Sequence, residues 1–61
     1  MRNFQIQKSK VKIVQNTEGF KIKHNDLDLF YCGNSTWEKE SSSNLVFKTD
    51  KKVREFLNRV V

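Results

Sequence analysis

From Val11 to Cys32, apolar and polar residues alternate with period two, broken by two clusters of turn-forming residues. Side chains of a strand point alternately to opposite faces, so this pattern specifies half-buried strands, and turn lengths fix how they pair. Val11, Ile13 and Gln15 fall on one side, with Lys10, Lys12 and Val14 on the other. After Asn16-Thr17-Glu18-Gly19, Phe20, Ile22 and His24 oppose Lys21 and Lys23. After Asn25-Asp26, Leu27, Leu29 and Tyr31 oppose Asp28, Phe30 and Cys32. A four-residue loop pairs Gln15 with Phe20, Ile13 with Ile22 and Val11 with His24. A two-residue turn then pairs His24 with Leu27, Ile22 with Leu29 and Phe20 with Tyr31, although Asn-Asp is a weaker two-residue turn than Asn-Gly. Both pairings collect the same apolar set on one face of a three-stranded antiparallel meander.

Upstream, Phe4 and Ile6 are even-numbered, whereas Val11 and Ile13 are odd. The apolar parity therefore switches within Gln7–Lys10, through a bulge or a bend between two short strands. Downstream the period changes. Val53, Phe56, Leu57 and Val60 lie at i, i+3, i+4 and i+7, one face of a helix. Thr49 or Asp50 is placed to cap it, Asp50 and Arg59 suit the two ends of its dipole, and Glu55 and Arg59 form an i, i+4 pair. A helix of about eleven residues is marginal alone and must dock on the apolar sheet face. Leu45-Val46-Phe47 reads as a fourth strand or an extended lead-in, and Ser41-Ser42-Ser43-Asn44 as a loop. The expected fold is α+β: a three- to four-stranded antiparallel sheet with one C-terminal helix packed on one face.

With 61 residues there is room for a single small domain, 1–61. Cys32 is the only cysteine, so intrachain disulfides and multi-cysteine zinc sites are excluded. The first residues hold no apolar run of signal length, and no stretch approaches a membrane span, so a cytoplasmic protein with no membrane partner is expected.

The outer sheet face is the unusual one. Lys12 and Lys23 stand opposite each other, Lys10 and Lys21 flank them, and Phe30 lies beside Lys21. Like charges facing across a sheet are destabilising, and Asp28, facing Lys23, relieves part of this. Lysines around an aromatic ring suit stacked bases and phosphates, or an acidic protein surface. Their plain role is to solubilise the sheet and discourage edge pairing. Charge is also segregated: residues 1–25 carry six basic groups and one acidic, 26–47 one and four, 48–61 five and two. The net charge of +5 is thus no uniform coat, which favours a specific protein contact. Trp37 either caps the core edge or, exposed, supplies an interface hot spot. The candidate partner-binding set is Lys10, Lys12, Lys21 and Lys23, the aromatics Phe30 and Trp37, and Lys51 and Arg54 on the helix.

Catalytic readings are thin. His24 has no Ser or Cys at helpful spacing and reads as a satisfied, partly buried histidine. Cys32 reads as a small hydrophobe. Glu38 and Glu40, flanked by Lys39 and Ser41, read as exposed rather than as a paired-carboxylate site with Asp26 or Asp28. No glycine-rich phosphate loop is present, and no cofactor or metal is expected.

Phe30-Tyr31-Cys32-Gly33-Asn34, then Trp37, then Phe47-Lys48-Thr49 leading to Val53, Phe56 and Leu57, resembles a pattern of short phage-encoded orphan accessory proteins. There, a strand ends in a glycine turn, a Trp follows, and a Phe-x-Ser/Thr stop leads into a final helix. The resemblance spans roughly residues 20–60 and is one of structural residues; Val53 stands where such proteins commonly have Ala. It implies a small accessory protein that binds and redirects or blocks a host macromolecule; with the charge pattern, the first expectation is a non-enzymatic regulator or inhibitor docking on a host or partner protein. The second expectation is a nucleic-acid binder using the basic face with Phe30 as stacking residue. Self-pairing of the sheet edge into a homodimer is a further arrangement.

Overall fold

The structure, a computed structural model, describes residues 2–60 and the side chains at 3–59. Strands β2 (Val11–Asn16) and β3 (Gly19–His24) form the first hairpin in the register the alternation specifies, with Val11 opposite His24, Ile13 opposite Ile22 and Gln15 opposite Phe20. Asn16 Oδ1 closes the turn by accepting from the Glu18 and Gly19 backbone N–H groups at 2.9 and 3.0 Å.

The second pairing is displaced by two residues. Strand β4 (Phe30–Gly33) sets Phe30 opposite Lys23, and His24 donates its N–H to the Leu29 carbonyl at 3.0 Å. Asn25-Asp26 has no glycine for a tight two-residue turn, and His24 holds a wider loop open. Its Nδ1 accepts from the backbone N–H groups of Asp26 (3.1 Å) and Leu27 (3.2 Å). A slip of two residues preserves the faces, so Tyr31 still joins the apolar side.

β4 turns at Asn34 and Ser35, both at positive φ, into β5 (Thr36–Glu38), with a bulge at the Cys32 step. The two-residue strand β1 (Arg2–Asn3) adds to β5, giving the order β1-β5-β4-β3-β2, antiparallel throughout. The sheet thus has four strands of three or more residues, extended at one edge by β1. The parity switch is a bend: residues 4–7 cross the sheet, a 3-10 turn at Lys8–Lys10 follows, and β2 begins on the far edge.

Helix α1 (Asp50–Val60) packs on the apolar face. Thr49 caps it, its Oγ1 accepting from Lys52 N at 3.1 Å. The i, i+4 pair that forms is Asp50–Arg54 at 2.6 Å, rather than Glu55–Arg59. Val53 and Leu57 are buried with Ile22, Tyr31, Trp37 and Ile6, and Phe56 packs against them; the Val60 side chain assigned to the same stripe lies outside the described residues. Leu45–Phe47 forms a wedge rather than a full strand: Leu45 N–H donates to Tyr31 O, and Phe47 exchanges both backbone bonds with Phe20. It fills the fork where β3 and β4 diverge. The architecture is therefore α+β, with one C-terminal helix on one face of an antiparallel sheet. No helix among the described residues is long and apolar enough to cross a membrane.

Candidate functional site

The outer face is only partly open. The loop after β5 folds back over one end of it onto Lys21, which is 2% exposed, and Phe30 beside it is 8% exposed. Asn44 is the pin. Its Oδ1 accepts from Lys21 Nζ (3.2 Å) and Ser41 N (2.8 Å), and its Nδ2 donates to the Lys39 carbonyl (3.2 Å) and Cys32 Sγ (3.4 Å). Lys21 Nζ also reaches the Ser41 carbonyl at 3.4 Å and sits 5.6 Å from the Phe30 ring centroid. The serine run is therefore a structured cover, and Lys21 anchors it.

This corrects the expected interface in three places. Lys21 is a buried strut. Phe30 is buried, with Lys21 Nζ over its ring, and offers no open stacking surface. Trp37, at 0% exposure, is core: on β5 opposite Tyr31 it faces the helix side, stacks on Phe4 with centroids 4.9 Å apart, and donates Nε1–H to the Phe4 carbonyl at 3.0 Å. Sequence distance hid part of this, because Phe4, which stacks on Trp37 and accepts its Nε1–H, lies 33 positions upstream. All seven aromatic rings are buried or half-buried.

Of the remaining candidates, Lys10, Lys12, Lys51 and Arg54 are exposed. Lys23 is half-buried, with its Nζ 3.7 Å from Asp28 Oδ1. Lys10 lines an open cleft of about 420 Å³ with Phe4, Gln5, Gln7, His24 and Asp26. His24 Nδ1 accepts two backbone protons, so that nitrogen is occupied. His24 also packs edge-on against Phe4 and Trp37, so its role is to hold the loop and seal the core. Cys32 differs from a purely apolar filler: its Sγ accepts from Asn44 and lies 3.9 Å from Glu38 Oε2. Among the described residues no group of three His, Cys, Asp or Glu side chains could hold a metal ion.

The hydrogen-bond pattern exposes a site that the side-chain pattern does not. Asn25 N–H donates to the Lys10 carbonyl at 2.8 Å. Bonded and non-bonded positions alternate along an antiparallel pair, so Lys12, Val14 and Asn16 bond into the hairpin. The N–H and C=O groups of Ile13 and Gln15, and the Val11 C=O, point the other way. β2 is last in the strand order, so these groups lie on a free edge. Beside that edge runs a groove of about 150 Å³, lined by Ile13, Leu57, Lys8, Arg54 and Asn58. Lys8 Nζ closes it by donating to Asn58 Oδ1 at 2.7 Å. Sequence reasoning missed Lys8, Leu57 and this edge, because which strand ends the sheet depends on the β1–β5 pairing. The available signal was negative: Ile13-Val14-Gln15 carries neither Pro nor charge to block pairing.

Comparison with protein-family models, with curated proteins and with solved structures found no match.

Proposed function

We propose that this chain is a small non-enzymatic protein-binding module, a regulator or inhibitor of the phage accessory kind that docks on a host or partner protein. The observation that supports this most directly is the free β2 edge, whose backbone donors and acceptors are aligned for another chain. Edge strands are usually blunted by charge, Pro or cover. Here Lys12 is the only charged residue in the strand. Burial of Phe30 takes away the stacking residue on which the nucleic-acid reading rested.

The test is affinity capture with the tagged chain from extract of its native host, at physiological salt and after nuclease treatment. One protein retained in stoichiometric amount, and released when Lys12→Glu alters the edge, is the expected result. Retention of nucleic acid alone, abolished by nuclease, would overturn the reading.

A further inference from the structure

We infer that the groove between β2 and α1 binds an extended, acidic segment of the partner, which adds to the sheet as a strand beside β2. This inference rests on the protein-binding reading and specifies its occupant. Three observations converge on it. The N–H and C=O groups of Ile13 and Gln15, with the Val11 C=O, have no partner among the described residues and suit an extended backbone, because a strand presents donors and acceptors at that repeat. A strand so placed turns alternate side chains toward the helix side, where Ile13 and Leu57 form an apolar floor. The groove is small, about 150 Å³, and lies directly beside the edge, where a side chain of an added strand would enter it.

Charge selects the acidic class. Lys8 and Arg54 stand on the groove rim and Lys12 on the strand, with Asp50 the carboxylate paired to Arg54. That pair is solvent-exposed on both sides, so Arg54 exchanges it for a ligand carboxylate at little cost. A second copy as occupant would bring two +5 chains together at their lysine-bearing edges, which disfavours self-pairing.

The probes are two blocked peptides, one alternating Val with Glu and one alternating Val with Lys, titrated into the isotope-labelled full chain and followed by amide NMR. The acidic peptide is expected to shift Ile13, Gln15, Arg54 and Leu57 and to slow hydrogen exchange at the Ile13 and Gln15 amides. Its affinity falls as salt rises, and falls by about tenfold or more in Gln15→Pro, which removes an outward N–H and spares the hairpin ladder. Methylating alternate amides of the peptide must abolish binding without touching the protein's fold. The inference is overturned if the lysine peptide binds as well as the acidic one. It is equally overturned if a single-stranded oligonucleotide displaces the peptide from these residues, or if the same amides shift on dilution of the chain alone. No shift with the acidic peptide also overturns it. If host capture still succeeds then, the protein-binding reading stands with a different surface; if capture fails too, both fall.

Discussion

Single residues here carry duties that composition does not announce. Gly19 sits at φ +143°, and a Cβ there would lie 2.4 Å from the Phe47 carbonyl oxygen. Backbone strain and a backbone clash add, so Gly19→Ala is expected to lose about 2 kcal/mol or more, read as a lower urea midpoint at unchanged slope. Ser35 presents the reverse case. Its φ of +63° is paid by an ordinary L-residue in a two-residue turn, so Ser35→Gly is expected to gain about 1 kcal/mol in the same experiment. Asn44 and Lys21 separate a pin from what it holds. Asn44→Ala strips the amide that Lys21 Nζ, Ser41 N, the Lys39 carbonyl and Cys32 Sγ share, and leaves buried polar groups without partners, for a loss of about 3 kcal/mol. Lys21→Met removes the donor but keeps the stem under the loop, and Asn44 Oδ1 retains Ser41 N. Its cost is therefore expected to stay near 1 kcal/mol. A larger loss for Lys21→Met than for Asn44→Ala would refute the pin.

The elements show where sequence reasoning succeeds and what limits it. The β2–β3 register was legible to the residue because two alternating runs and one loop length admit a single in-face pairing. The helix was legible because Val53, Phe56 and Leu57 have nowhere to go except one stripe, and Thr49 is the cap its position suggests. The β3–β4 register slipped because a side chain, His24, competes for the loop's N–H groups, and no periodicity reports that. The candidate interface suffered most. Whether a lysine or ring on an outer face is exposed depends on what folds over it, and a polar serine loop gives no sign of becoming a cover. Only Lys12 and Arg54 of the original set flank the edge and groove now proposed. At this scale α1 is the element to weaken. Thr49→Ala leaves the Lys52 N–H without its cap and is expected to lose about 1 kcal/mol, measured by thermal unfolding in circular dichroism.

For the molecule as a whole, the decisive feature is the strap of residues 4–10 joining opposite edges of the sheet. Four strand spacings of about 4.8 Å separate β1 from β2, about 19 Å in all. An extended stretch at residues 4–7 followed by a 3-10 turn reaches about 23 Å, little more than the crossing requires. Along it the side chains alternate: Phe4 and Ile6 turn into the core while Gln5 and Gln7 are exposed. Its apolar residues thus complete the core that the helix leaves unfinished, with Phe4 covering Trp37 and Ile6 buried among Ile22, Val53 and Leu57. A domain this small holds about 3–9 kcal/mol of net stability. Ile6→Ala opens a cavity worth about 2–4 kcal/mol, a large share of that total. The sole tryptophan is buried under the strap and reports the outcome directly. In Ile6→Ala, emission is expected to shift to the red at urea concentrations where the wild-type chain keeps its buried spectrum. An unchanged midpoint would mean that the strap merely lies on a core already closed by the helix, and that the crossing from β1 to β2 contributes nothing to holding the sheet together.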